Sequence, residues 1–313
     1  MDCAEELEHQ ASALADAVSA RIGRDAETWW MAALIRQSLS EKPQTISRSP
    51  FGFLLSAESE RADLVRCAAQ PGDHCTAAAL EAILAGAGDA GRQAADLVRS
   101  LGEGNASGRG DWQFGFGEGE NDVRFYAGPR GNKPLSGKIP LLRSLGLWPP
   151  RLDDAAADVL ERLRPSVVLS GVARRFGGPA AYKIYTYGAL PLRQELVDLM
   201  ACELPAPVQN DLQFFLGSVD SPADVAHTHT WSLSLDSAGA LLDWKLELTY
   251  HQLGIERLLE RWPELHSFVQ WAQEVAGQVG LVTRPSGVSF RARDEGGSIV
   301  VYMAFDPPGF GRS

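Results

Sequence analysis

The sequence predicts an α+β fold in which ten antiparallel β-strands close into a barrel with a polar interior and a ring of helices outside. Three observations predict it: a strand–turn–strand pattern recurs five times, helix-like segments separate the copies, and the strands alternate polar with apolar residues. Successive side chains of a strand point to opposite faces, so one face of the sheet is apolar and the other carries cations and phenols. Closure removes the sheet edges and encloses the polar face.

The predicted elements follow one another in a regular order along the chain. Apolar residues at helical spacing predict helices over residues 3–22 and 27–40, before the first hairpin. The five hairpins cover residues 48–69, 111–128, 166–188, 230–250 and 286–305, and their turns lie at 58–60, 119–122, 177–179, 236–239 and 294–297. Further helices are predicted near 76–87, 90–101, 140–147, 152–164, 191–203, 206–217, 254–262 and 264–278. We expect residues 1–313 to form a single domain.

Composition excludes several classes of protein. The chain has 313 residues, a net charge of −11 and a pI near 5.1, which argues against a general surface for nucleic acid or anionic membrane. The four cysteines form no C-x-x-C pair, the N-terminus lacks the apolar core of a signal peptide, and no apolar run approaches the roughly 18 residues of a membrane span. We therefore expect a cytoplasmic protein with reduced thiols, whose cationic site is local.

The hairpin pattern resembles the ABBA-fold aromatic prenyltransferases over about residues 48–306. The segment Lys183-Ile184-Tyr185 is similar to the Lys-x-Tyr strand of the fungal indole prenyltransferases, and Lys245 lies where a second such strand has its lysine. The hairpin spacing and the strand of Tyr302 resemble the shorter bacterial members that prenylate cyclic peptides. The chain departs from the family at residues 243–247, where fungal enzymes tend to read Arg-x-Lys-x-Tyr, and at Gly52, where many members have a glutamate base.

The resemblance implies transfer of a prenyl group, dimethylallyl or geranyl, from an allylic diphosphate to an electron-rich aromatic ring. The implied acceptor is tryptophan or another indole, a phenolic small molecule, or a side chain of a peptide. Arginine and lysine stabilise the charge that builds on the departing diphosphate, while aromatic faces shield the allyl cation from water. The diphosphate-binding candidates are Arg66, Arg124, Lys183, Lys245, Arg291 and Arg293. The candidates for the shield and prenyl pocket are Tyr126, Tyr185, Tyr187 and Tyr302.

The base that removes the ring proton is less well defined by the sequence. Glu247 lies two residues from Lys245, on the same strand face, and is either that base or the partner of Lys245 in an internal ion pair. Glu58 and Glu118 lie near hairpin tips and are less well placed. Members of the family differ in their use of Mg²⁺, and no clear carboxylate cluster in the sequence requires a metal.

Three alternative functions remain open from the sequence. A non-catalytic barrel would bind an anionic or lipid-like ligand without releasing diphosphate. An open antiparallel sheet with helices on one face and water on the other could carry another enzyme, such as a phosphate-ester hydrolase. In a protein-interaction scaffold, the strand cations would be dispensable. A lysine on a polar strand face is often merely solvated, and only the recurrence of cations in several hairpins favours a site.

Overall fold

The fold was determined as a computed structural model. It describes residues 3–39, 53–69, 75–104, 112–116, 122–127, 139–144, 146, 148–150, 152–154, 168–177, 182–189, 204–218, 228–236, 241–249, 254–293, 296–306 and 308. Within these residues, no helix is both long and apolar enough to cross a membrane.

Ten strands form one closed antiparallel barrel. They are β1 (Phe53–Glu58), β2 (Arg61–Ala69), β3 (Trp112–Phe116), β4 (Val123–Ala127), β5 (Val168–Phe176), β6 (Tyr182–Ala189), β7 (Thr228–Leu235), β8 (Leu241–Thr249), β9 (Val282–Arg293) and β10 (Gly296–Asp306). Each strand pairs with its neighbours in the chain, and β1 pairs with β10, which completes the circle. The predicted closed barrel is therefore confirmed, and the open sheet is wrong.

Helices separate the hairpins, as the pattern predicts. They are α1 (Cys3–Arg21), α2 (Trp30–Leu39), α3 (Ala77–Ala85), α4 (Gly88–Gly104), α5 (Ile139–Ser144), α6 (Ala206–Ser218), α7 (Glu256–Arg261) and α8 (His266–Gln278), with a 3₁₀ turn at Pro263–Leu265. The predicted helix at 191–203 and most of the one at 152–164 lie outside the described residues.

The hydrophobic core lies between the outer face of the barrel and the helices. Strand β8 shows how alternation builds it: Trp244, Leu246 and Leu248 are buried in this core, whereas the residues between them belong to the other face. Aromatic rings join the two layers, since Phe215 of α6 lies 5.9 Å from Phe290 of β9 between ring centroids. The polar residues of alternate positions are thereby directed into the barrel.

Two acidic residues that the sequence assigns to turns are buried at the ends of barrel strands. Glu58 is the last residue of β1 and is 1% exposed, although it was expected in the first hairpin turn. Asp122 directly precedes β4 and is completely buried. Both carboxylates bind arginines of neighbouring strands, and those contacts explain why such polar groups are buried.

Candidate functional site

The barrel interior collects most of the predicted site residues. The inward face of β6 carries Lys183 and Tyr185, because Tyr182 and Ile184 are buried in the outer core. On β8 the inward residues are Asp243, Lys245 and Glu247. Strand pairing places Lys183 opposite Ser234, and Lys245 opposite both Ser232 and Arg291. The candidate cations thus lie on adjacent strands around one interior.

A buried carboxylate joins two of the predicted arginines. Glu58 Oε2 lies 2.8 Å from Arg66 Nη1, and Arg291 Nη1 donates to both carboxylate oxygens of Glu58 at 2.9 and 3.0 Å. Ser298 Oγ donates to Glu58 Oε1 at 2.8 Å. We name Glu58, Arg66, Arg291 and Ser298 the Glu58 cluster. The Glu58 carboxylate binds guanidinium groups from β2 and β9 and fixes their orientation. Electrostatic preorganisation requires such a fixed orientation.

Lys245 is held from two sides. Its Nζ donates to Glu247 Oε2 at 2.9 Å and to Tyr302 Oη at 2.5 Å. Ser289 Oγ lies 3.5 Å from the same phenol oxygen. Glu247 therefore forms the internal ion pair with Lys245, which is one of the two roles predicted for it.

Asp243 extends the cation network toward β6. Ser234 Oγ donates to its Oδ1 at 2.8 Å, and Arg291 Nε lies 3.9 Å from its Oδ2. Burial favours the neutral acid, but the charges of Lys183 and Arg291 outweigh it and hold the pKa of Asp243 below its ordinary value. Asp243 is thus an anion that several cations share.

A second arginine pair lies beside β4 and β5. Asp122 Oδ2 lies 3.2 Å from Arg124 Nη2, and Arg175 Nε donates to Asp122 Oδ1 at 3.0 Å. Arg124 and Arg175 are also cross-strand partners, which would bring like charges together without the carboxylate between them. Arg174 points the other way and stacks on Phe176, 4.9 Å from the ring centroid.

Lys183 differs from these cations, because among the described residues no carboxylate lies within ion-pair distance of its amine. Its Nζ lies 5.8 Å from the centroid of the Tyr185 ring. Burial, together with the positive charges of Arg291, Arg124 and Arg66, lowers the pKa of Lys183 to about 7, against the opposing effect of Asp243. Its positive charge is therefore the least stabilised among these interior cations.

Aromatic rings and small residues adjoin Lys183. The rings of Tyr126 and Tyr185 lie 6.4 Å apart between centroids, at an interplanar angle of 58°. Gly115 lies beside Tyr126, where a Cβ atom would approach the ring atom Cε2 to 3.1 Å. Ala173 is the cross-strand partner of both Tyr126 and Lys183. Small residues therefore leave room for the phenol rings to lie along this side of the barrel.

The structure brings together eight of the predicted residues: Arg66, Arg124, Lys183, Lys245, Arg291, Tyr126, Tyr185 and Tyr302. The backbones of Tyr187 and Arg293 lie in β6 and β9, but their side chains, like Glu118 and Gly52, are outside the described part of the chain. Their roles stay predictions. Within the described residues, no group of three or more histidine, cysteine or acidic side chains is arranged to hold a metal ion.

Sequence reasoning missed Asp122 and Asp243 as parts of the site, and it considered Glu58 only as a less well placed candidate for the base. For Glu58 a signal was available, because Leu55 and Ala57 are apolar and the alternation continues through Glu58. For Asp122 no local signal distinguishes a turn aspartate from a buried partner of two arginines. Its role depends on Arg175, which lies 53 residues further along the chain.

No protein-family model and no curated protein matches the sequence. Solved structures do match. A 5-dimethylallyl tryptophan synthase from Streptomyces coelicolor, in complex with DMASPP and Trp, is 16% identical with a TM-score of 0.61, over 95% of this chain and 94% of that chain. A 6-dimethylallyltryptophan synthase from Micromonospora olivasterospora, with the same two ligands, is 15% identical with a TM-score of 0.61, over 98% and 100% of the two chains.

A fungal structure matches as well. AnaPT from Neosartorya fischeri is 11% identical with a TM-score of 0.56, over 96% of this chain and 94% of that chain. Likeness at such low identity concerns the fold. The predicted resemblance in fold is confirmed: the chain forms the ten-stranded ABBA barrel of these prenyltransferases.

Proposed function

We propose that this protein transfers a prenyl group from an allylic diphosphate to an electron-rich aromatic acceptor. The observation that carries the proposal is the convergence of Arg66, Arg124, Lys183, Lys245 and Arg291 on the interior of a closed barrel, beside three tyrosines. The net charge of −11 makes this concentration of cations a local feature. Structures of the same fold that contain DMASPP and Trp support the same class of chemistry.

The interior suits the ionisation step of such a reaction. The C–O bond between the allylic carbon and the diphosphate breaks, and negative charge builds on the diphosphate oxygens. Arginines already oriented by Glu58, and Lys245 oriented by Glu247 and Tyr302, stabilise that charge without having to rearrange. The Tyr126 and Tyr185 rings stabilise the allyl cation by cation–π attraction, worth up to about 2 kcal/mol when desolvated.

The acceptor ring then attacks the allyl cation, a new bond forms to the prenyl carbon, and the ring loses its proton to a base. Glu247 is the predicted base, but Lys245 donates a hydrogen bond to it. It acts as a base only if bound diphosphate draws Lys245 away; otherwise it positions Lys245. We propose a dimethylallyl or geranyl donor and a tryptophan or indole acceptor, with phenols and peptide side chains as further acceptors.

The test combines donor binding with product analysis. Dimethylallyl and geranyl diphosphate are each incubated with the protein and tryptophan, with and without Mg²⁺, and products are identified by mass spectrometry. Calorimetry with dimethylallyl thiolodiphosphate then compares Lys245→Met with Arg174→Met, which removes an outward-facing cation. We expect a prenylated product, and at least tenfold weaker binding (about 1.4 kcal/mol) for Lys245→Met alone.

Other results would replace the proposal. Tight donor binding without turnover of any aromatic acceptor would favour the non-catalytic barrel. Release of prenyl alcohol and diphosphate that no acceptor accelerates would indicate a hydrolase. Absence of donor binding, with and without Mg²⁺, would overturn the proposed site.

A further inference from the structure

Lys183 stands apart from the cations around it. Arg66 and Arg291 share Glu58, and Lys245 has Glu247 as its partner. Among the described residues, Lys183 has no carboxylate at ion-pair distance. Its amine lies beside a tyrosine ring, in a field to which three arginines contribute positive charge.

The groups around Lys183 come from seven of the ten strands. They are Arg66 on β2, Arg124 and Tyr126 on β4, Ala173 on β5, Tyr185 on β6, Ser234 on β7, Asp243 and Lys245 on β8, and Arg291 on β9. Asp243 supplies the opposing charge, but it also balances Arg291 and accepts a hydrogen bond from Ser234. An anion placed among these cations would therefore change the electrostatic environment of Lys183 more than that of the paired residues.

From this arrangement we infer that donor binding is coupled to proton uptake by Lys183: the neutral amine takes a proton from solvent as the diphosphate enters, and the ammonium then donates hydrogen bonds to it. The inference rests on the proposed function, because it needs a diphosphate at this site. The proton balance is simple: one proton moves from buffer to Nζ, and no covalent bond of the ligand changes. The site therefore reaches its full positive charge only when the diphosphate is bound.

The coupling has a definite pH dependence. Because the pKa of the free lysine is about 7 and an adjacent anion raises it, binding takes up about half a proton at pH 7 and nearly one at pH 8. Below pH 6 the free amine is already protonated, so uptake falls toward zero. Donor affinity should accordingly weaken as pH rises above 7, by up to about tenfold per unit until the pKa of the complex is passed.

Calorimetry measures the uptake directly. Dimethylallyl thiolodiphosphate is titrated into the protein at pH 8 and pH 6, each in two buffers with different heats of ionisation, and the slope of heat against ionisation heat gives the protons exchanged. At pH 8 the ligand is already fully ionised, since phosphate groups lose their last proton near pH 6. The matched variants are Lys183→Arg, which stays charged, and Lys183→Met, which stays neutral.

We expect nearly one proton taken up by the unaltered protein at pH 8, much less at pH 6, and none by either variant at pH 8. Lys183→Arg should keep an affinity that is flat between pH 7 and 9. Equal uptake at pH 8 in the unaltered protein and in Lys183→Met would overturn the inference and leave the proposed function intact. Failure of the unaltered protein to bind the analogue at either pH would overturn the proposed function and the inference together.

Discussion

Two walls of the barrel differ in whether carboxylates balance their inward positive charges. Strands β8, β9, β10, β1 and β2, here the acidic wall, contain the inward carboxylates Glu58, Asp243 and Glu247, and each binds or shares a cation. Strands β3 to β7, the basic wall, contain no aspartate or glutamate in their sequence. The acidic wall fixes its cations before any ligand arrives, whereas the basic wall leaves Lys183 to be stabilised by what binds.

The difference shows that cation number alone does not describe an anion site. Arginines bound to a shared carboxylate have a fixed geometry, but the carboxylate already balances part of their positive charge. A lysine without such a partner keeps its capacity for an anion, at the cost of a charged form that is poorly stabilised in the free protein. A site that contains both paired arginines and such a lysine has some cations oriented in advance and one cation whose charge the ligand stabilises on binding. Asp122, at the margin of the basic wall, binds both Arg124 and Arg175, so Lys183 is the inward cation of that wall that lacks a carboxylate partner among the described residues.

The largest expected effect comes from removing the acidic wall's central charge. Glu58→Gln keeps the side-chain volume but leaves Arg66 and Arg291 buried without their carboxylate, so we expect a loss of about 3–5 kcal/mol in the free energy of unfolding. Denaturant unfolding measures it. The matched control is Glu81→Gln, which breaks the exposed pair with Arg99 and should cost about 1 kcal/mol or less. Equal costs for the two variants would show that the cluster does not stabilise the acidic wall.

The second effect has the opposite sign and belongs to the basic wall. Lys183→Met removes a poorly stabilised charge, so we expect an increase of about 1–2 kcal/mol in the free energy of unfolding at pH 6 to 7. The folded pKa is about 7 against 10.5 in the unfolded chain. Between these values the unfolded chain binds more protons, and the stability of the unaltered protein rises with pH.

The advantage of the Lys183→Met variant should therefore be full below pH 7 and shrink as the pH approaches 10. Unfolding curves at several pH values give this difference directly. A variant less stable than the unaltered protein at every pH would show that Lys183 has a stabilising partner, and the contrast between the two walls would not hold.

In both walls the sequence predicted the strands and their polar face better than it predicted the ion pairs. Period-two alternation and turn residues revealed the five hairpins, and alternation alone placed Lys183, Lys245 and Tyr302 on the polar face. The pairing of each cation was less accessible, because it depends on closure between distant strands. Ser298 reaches Glu58 across 240 positions, through the β1–β10 contact that completes the barrel. Lys245 and Glu247, two residues apart on one strand, could be paired from spacing.

The smallest expected effect tests whether space, as well as charge, distinguishes the basic wall. In Gly115→Ala the new Cβ would lie 3.1 Å from Tyr126 Cε2 and 3.3 Å from the Cys67 carbonyl oxygen, closer than ordinary contact. We expect a loss of about 1 kcal/mol in the free energy of unfolding, because the ring must move. Gly217→Ala on α6 is the control, since nothing lies within 4 Å of its added Cβ, and helix propensity favours alanine there.

The same substitution should also change ligand binding through Tyr126. A displaced ring alters its 6.4 Å spacing from Tyr185, the side of the pocket proposed to hold the prenyl chain. We therefore expect the affinity for geranyl diphosphate to fall more than that for the shorter dimethylallyl diphosphate, because the longer chain needs more of this surface. If both affinities are unchanged while stability falls, Tyr126 packs against Gly115 without contacting the donor, and the contribution of the basic wall to donor binding is then limited to its cations.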